Sequence, residues 1–226
     1  MSFKTPRILI ALVVPALLAA SRLQAEDTAE EGFQSLFNGA DLTGWEGVPD
    51  AWGVRDGAIV TKPGGLKNFL IWKDGKEDGV VEDFELRLKF RIEAGNSGVQ
   101  FRSKRFFNKK KQVPAVGGPQ ADLAAGNVYT GSLYGEGMKA FGPAFRGIEI
   151  THERRVKPEM KPKGEWNEYV VIADGPRVTL KVNGTTTVDT TLEKGPFTGI
   201  LAFQHHGGNT QIEIKDIRIK VLDRKE

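Results

Sequence analysis

Residues 84–92 read F-E-L-R-L-K-F-R-I. Phe84, Leu86, Leu88, Phe90 and Ile92 fall on one side, and Glu85, Arg87, Lys89 and Arg91 on the other. That is the period of a strand with one buried face. Shorter stretches of the same kind recur between turn signals. Residues 52–60 (W-G-V-R-D-G-A-I-V) predict two strands about Asp56-Gly57. Residues 165–174 and 177–183 predict a hairpin across Gly175-Pro176, and Asn183-Gly184 turns the chain again into residues 185–189. Residues 199–205 and 211–222 give the closing strands. In the last, Ile212 and Ile214 are followed by Ile217, Ile219 and Val221, so the buried parity slips at Lys215-Asp216. A β-bulge there keeps all five on the core side. No segment after the first 25 residues holds a helical period over three turns. The pattern predicts an all-β fold, a two-sheet antiparallel jelly-roll sandwich. Residues 104–117, 124–147 and 153–164 read as long loops. The second, rich in glycine with Tyr129, Tyr134, Phe141 and Phe145, reads as a lid over a pocket.

The polar positions of three strands stand out. In N-S-G-V-Q-F-R-S (96–103), Val99 and Phe101 point one way and Gln100 and Arg102 the other. In G-P-Q-A-D-L (118–123), Gln120 and Asp122 share a face. In A-F-Q-H-H-G (202–207), alternation sets His206 beside Gln204 and sends His205 to the side of Phe203. Remote strands carrying amides, a guanidinium, a carboxylate and an imidazole predict one polar surface. His206 is a candidate base or metal ligand, or a histidine that merely satisfies a loop carbonyl. His205 reads as packed. Gln120 and Asp122, about 7 Å apart along a strand, suit a sugar diol or a divalent cation held through oxygen ligands; a turn-capping aspartate is the plainer alternative. Arg102 beside Gln100 suits substrate hydroxyls, or else a surface ion pair. Of the tryptophans, Trp52 reads as core, Trp166 as packed and Trp72 as a rim residue able to stack on a sugar; Tyr134 is the strongest aromatic candidate for substrate contact. Glu149, between Ile148 and Ile150, is a second carboxylate candidate or an outward strand residue. No His-carboxylate spacing supports a metal independently.

The first 25 residues change the charge argument. Lys4 and Arg7 precede an apolar run from Ile8 to Ala20, and Leu23-Gln24-Ala25 offers a small residue before a cut. This is the layout of a secretory signal peptide, and the run is short for a membrane anchor of about 20 apolar residues. The expectation is export to a periplasmic or extracellular space with no stable membrane insertion after cleavage. Of the 32 basic residues three lie in the leader, so 29 remain against 29 acidic ones. A neutral mature chain gives no case for a nucleic-acid partner. The absence of cysteine excludes disulfides and thiolate chemistry. Residues 26–31 form an acidic lead-in, 32–222 one β-domain and 223–226 a polar tail.

Seven segments then fall into a known order. They are G-F-Q-S-L-F-N-G-A-D-L-T-G-W (32–45), N-S-G-V-Q-F-R-S, G-G-P-Q-A-D (117–122), G-S-L-Y-G-E (131–136), G-E-W-N-E-Y (164–169), V-N-G (182–184) and F-Q-H-H-G (203–207), the last followed by Ile217-Arg218-Ile219. Together they resemble the 3-keto-disaccharide hydrolase family over nearly all of residues 32–222. The resemblance implies a concanavalin A-like jelly roll of the lectin/glucanase type, export, and cleavage of sugars oxidised at C3. On that basis His206, Asp122 and Arg102 are the catalytic candidates. Gln100, Gln120, Gln204, Tyr134, Glu149 and Trp72 are the candidates for holding an oligosaccharide or oxidised sugar, with a divalent cation as the possible cofactor. The chain departs from one variant of the family, which has an acidic residue where Gly118 stands. The alternatives are a non-catalytic carbohydrate-binding module of the same fold and a purely structural exported domain.

Overall fold

The computed structural model describes residues 31–73, 79–108, 113–138, 150, 153–154 and 156–223. The leader, Glu149, Phe141 and Phe145 lie outside the described residues. Among those described, fifteen strands run in chain order: β1 (Gln34–Ser35), β2 (Trp45–Glu46), β3 (Trp52–Arg55), β4 (Ala58–Thr61), β5 (Asn68–Trp72), β6 (Val80–Val81), β7 (Phe84–Ala94), β8 (Asn96–Asn108), β9 (Val113–Ala124), β10 (Leu133–Glu136), β11 (Asn167–Asp174), β12 (Arg177–Val182), β13 (Thr185–Thr191), β14 (Gly199–His205) and β15 (Gln211–Val221). They form two antiparallel sheets. One has the order β13-β12-β11-β7-β15-β4-β3, with β1 also on β15. The other has β10-β9-β8-β14-β5-β2, with β6 also on β14.

The turns and periods of the sequence explain this architecture. Asp56 and Gly57, and Asn183 and Gly184, all have positive φ, as hairpins matched to strand twist require. Phe84, Leu86, Leu88 and Phe90 of β7 pack with Ile212, Ile214, Ile217 and Ile219 of β15 against Val99, Phe101, Ala121, Leu123, Leu201 and Phe203 of the facing sheet. The parity of β15 is repaired at the expected place: its register on β7 shifts between Lys215 and Arg218, and Asp216 takes φ 51°, which buries the four isoleucines, while Val221 at the strand end is exposed. Trp45 stacks on Phe203 at 5.1 Å, and Phe84 meets Phe101 edge-on at 6.2 Å, so aromatic contacts fill the space between sheets.

One predicted loop is largely strand, and a second contains a short strand. Residues 104–108 extend β8 and 113–117 belong to β9, paired from Lys104↔Gly117 to Asn108↔Val113. Tyr134, expected on the glycine-rich loop, sits on β10 at the sheet edge, opposite Gln120, while residues 139–147 of that predicted lid lie outside the described residues. Among the described residues no helix is long and apolar enough to cross a membrane.

Candidate functional site

The three Gln-bearing segments lie side by side as β9, β8 and β14. Their registers make two rows across the sheet. Tyr134, Gln120, Gln100 and Ala202 form one row; Asp122, Gly98, Gln204 and Phe69 form the next. Their neighbours in sequence, Val99, Phe101, Ala121, Leu123 and Phe203, are in the central core. Strand alternation therefore puts Gln100, Gln120, Asp122 and Gln204 on the outer face of this sheet. All four are nonetheless at most 1% exposed.

Burial forces these groups to satisfy one another. Ser103 Oγ donates to Gln100 Oε1 at 2.8 Å, Gln100 Nε2 donates to Gln120 Oε1 at 2.5 Å, and Gln120 Nε2 donates to Asp122 Oδ1 at 2.5 Å. This row runs in one direction and ends on a carboxyl. A second branch starts at Gln204, whose Nε2 donates to Glu136 Oε2 at 2.9 Å. Lys67 Nζ lies 3.2 and 3.1 Å from the two oxygens of Glu136. Gln204 Oε1 is buried with no hydrogen-bond partner among the described residues. An acceptor left in that state costs about 1–3 kcal/mol, and a ligand hydroxyl is the natural donor to it. Tyr134, Glu136 and Lys67 are only partly buried, so the row comes nearest to solvent at these three.

The electrostatics single out Asp122. Its burial, opposed by the hydrogen bond from Gln120 and by Lys67 but aided by the charge of Glu136, pushes its carboxyl up from 3.8 to about 7. The carboxyl can thus take and return a proton near neutral pH. Burial, then the charges of Glu136 and Asp122, pushes the Tyr134 phenol up, which keeps it a donor.

Gly98 makes the arrangement possible. A Cβ there would fall 2.5 Å from Gln120 Cγ and 2.7 Å from its Nε2. Gln120 therefore lies across the bare backbone of Gly98 to reach Asp122. Gly98→Ala is expected to cost about 1–3 kcal/mol through overpacking and to displace the Gln120 amide. Denaturant unfolding and side-chain amide NMR of the variant check this; an unmoved Gln120 amide signal contradicts it.

Three sequence expectations are corrected. Arg102 does not stand beside Gln100. The β8 register shifts between Gln100 and Lys104, Arg102 takes φ 46°, and its side chain turns away. There it donates from Nε to Glu82 O, from Nη1 to Gly175 O and from Nη2 to Asp83 Oδ1, each at 2.7 Å. Ser103 takes the place on the row that alternation gave to Arg102. Trp72 is not a rim residue: it is 5% exposed and belongs to the central core, one position out of phase with Phe69 and Ile71 on the outer face. His206 does not share the strand face of Gln204, because β14 ends at His205 and His206 is exposed beyond it. His205 is packed as expected. Its Nε2 meets Lys62 O and its Nδ1 accepts from the Gly207 amide, both at 2.9 Å, while Trp52 lies edge-on at 6.0 Å.

Sequence reasoning missed Ser103, Lys67 and Glu136. Glu136 alternates with Tyr134 in L-Y-G-E, a signal hidden by reading that segment as loop. It also stands directly across from Gly118 in the β9–β10 register, so the neighbouring strand brings a carboxylate to the row where Gly118 has none. Among the described residues no three His, Asp or Glu side chains gather as a metal would need. A cleft of about 690 Å³ lies on the outer face of the other sheet, bordered by Phe33, Lys89, Glu168 and Lys181. Four of the charges on it are paired within the protein, Arg87 with Glu85 at 2.6 Å and Lys89 with Asp216 at 2.8 Å, which argues for a solvated face.

A lectin-type sandwich with a row of buried amides and a carboxyl, and partly exposed Tyr134, Glu136 and Lys67 beside it, fits a carbohydrate-active class of protein. The chain belongs to the 3-keto-alpha-glucoside-1,2-lyase-like domain family, whose model matches residues 32–220. No curated protein matches it in sequence. Several solved structures share the fold. A Parabacteroides distasonis protein provisionally named a glycosyl hydrolase is 24% identical, with TM-score 0.59 over 85% of this chain and 95% of the other. The carbohydrate-binding module CBM66 from Bacillus subtilis is 14% identical, with TM-score 0.54 over 78% and 95%. The exoplasmic/lumenal domain of VIP36, solved with Ca2+ and Man3GlcNAc, is 11% identical, with TM-score 0.58 over 87% and 91%.

Proposed function

We propose that the chain cleaves 3-keto-glycosides or 3-keto-disaccharides, outside the cytoplasm, by elimination and hydration. The observation that carries this reading is a buried carboxyl, Asp122, whose proton affinity lies near neutrality at the end of an ordered amide row. A ketone at C3 acidifies the C2 proton. Asp122 takes that proton, and the C2–H electron pair passes into the enolate. The enolate then collapses to a C1=C2 double bond as the C1–O bond breaks, and the leaving alkoxide takes the proton that Asp122 had removed from C2. Water then gives its hydroxide to C1 and, through Asp122, its other proton to C2, which yields the free 3-keto sugar. This route needs one base and an oxyanion donor, not the paired carboxyls flanking the bond that ordinary glycosidases use. The partly exposed Tyr134 phenol and Lys67 ammonium are the donors for the developing enolate, since Arg102 is committed elsewhere. Gln204 Oε1 accepts a sugar hydroxyl. His206, exposed beyond the strand, has no part in the proton transfer.

Release of free sugar from 3-keto-trehalose or a 3-keto-glucoside tests the reading. The expected result is turnover by the wild type, a loss of at least about a hundredfold in Asp122→Asn, and little change in His206→Ala. Saturable binding with no turnover by the wild type would replace this reading with a carbohydrate-binding module.

A further inference from the structure

One buried imidazole has no part in the elimination chemistry. His205 ends β14, next to Gln204, and is fully buried. Its ring is gripped from two sides. The Gly207 N–H can only donate, so Nδ1 is the bare nitrogen and accepts it at 2.9 Å. In the neutral ring Nε2 then carries the proton and donates to Lys62 O, also at 2.9 Å. A single tautomer satisfies both bonds. We propose that His205 is a positioning residue for Lys67: it clasps the turn that carries this lysine and so fixes where the ammonium stands beside the site. This rests on the reading of Lys67 as a donor to the enolate.

Two turns meet at this ring, residues 62–67 (K-P-G-G-L-K) and 205–209 (H-H-G-G-N). They also bond to each other. Gly64 N–H donates to Gly208 O at 2.6 Å, and Gly208 N–H donates to Gly65 O at 3.2 Å. Gly207 packs against the end of the first turn, where a Cβ would lie 3.0 Å from Lys67 N and 3.2 Å from Gly65 O. Beyond it, Asn68 donates from Nδ2 to Leu66 O at 3.0 Å and accepts from Trp52 Nε1 at 2.7 Å. The Trp52 ring in turn stands edge-on to His205 at 6.0 Å. Lys67 leaves this clasp and places Nζ 3.2 and 3.1 Å from the two oxygens of Glu136. Gly64 and Gly65 have positive φ and open space where a side chain would be. Such a turn has large backbone freedom to lose, so its shape, and the reach of the lysine at its end, depend on bonds supplied from outside it. His205 supplies the one to Lys62 and holds the Gly207 amide that abuts Lys67.

The test follows two signals by nitrogen NMR in the full chain. The His205 ring is expected to show protonated Nε2 and bare Nδ1. The Lys67 ammonium, assigned by its loss in Lys67→Met, is expected to give a signal slowed in exchange by its carboxylate partner. That ammonium signal should vanish in His205→Leu, which makes neither bond, and survive in His205→Gln, whose amide can still donate to Lys62 O. If the leucine variant fails to fold, His205→Asn, which keeps an acceptor for Gly207 but cannot reach Lys62, takes its place. With 3-keto-trehalose or a 3-keto-glucoside, His205→Leu is expected to lower kcat about tenfold and to add no further loss in a Lys67→Met background. A wild type with no Lys67 signal, a signal unchanged in the leucine or asparagine variant, or kinetic losses that multiply overturn the proposal. The NMR readout needs no substrate, so a protein that shows the expected signals but no sugar release sinks the proposed function alone.

Discussion

Replacing Asp122 by asparagine is expected to make the protein more stable, and more so as pH rises. A carboxyl at about 7 in the folded chain and 3.8 when exposed binds its proton more tightly in the native state. Folding stability therefore falls as pH climbs from about 4 to about 7 and is level above that. A gap of about three pH units, at about 1.36 kcal/mol for each, makes the cost about 4 kcal/mol at pH 8. At 1% exposure little solvent screening reduces it. Asparagine keeps the shape and the acceptor for Gln120 Nε2 but has no charge to bury. The wild-type and variant unfolding curves should thus differ by a constant below pH 4 and diverge to about 4 kcal/mol in the variant's favour by pH 8. A difference independent of pH would show that Asp122 is not held protonated by burial. A group kept at such a cost is typical of a residue retained for chemistry.

Arg102→Met is expected to act the other way, costing about 3–5 kcal/mol. The guanidinium is fully buried and joins β8 of one sheet to Glu82, Asp83 and the β11–β12 turn of the other. The Gly175 amide also donates to Asp83 Oδ1 at 3.0 Å, so the carboxylate stays buried when its guanidinium is lost. Adding Asp83→Leu should recover part of the loss, because the stranded charge is the main penalty. Denaturant unfolding of the two single variants and the double variant measures both effects. A single variant within about 1 kcal/mol of wild type would contradict an inter-sheet role.

The two bulges show why one part of the site was legible and another was not. In β15 the slip moved isoleucines from one parity to the other, and the sequence carries a visible break. In β8 the slip falls between Gln100 and Lys104, and the next apolar residues, Phe106 and Phe107, occupy both parities, so nothing marks it and alternation ran on through Arg102. The structural traces are glycines: a Cβ on Gly118 or Gly199 would collide with Ser103 or with the backbone of Arg102. Their presence is a weak sign in a chain with 27 glycines. Trp72 escaped for a different reason. The run F-L-I-W is apolar at every position and buried on both faces, so period 2 carries no phase information there. Asp122, Gln120, Gln100 and Gln204 were legible because each alternates with an aliphatic or aromatic neighbour. Lys67 precedes its strand in a turn rich in glycine and has no pattern to announce it.

The row from Ser103 to Asp122 is polarised from its carboxyl end. Asp122 Oδ1 accepts from Gln120, so Gln120 turns its Oε1 to Gln100, and Gln100 turns its own Oε1 to the Ser103 hydroxyl. A side chain at 100 or 120 that lacks either a donor or an acceptor interrupts the line, while asparagine at 122 leaves it whole and removes only the titrating proton.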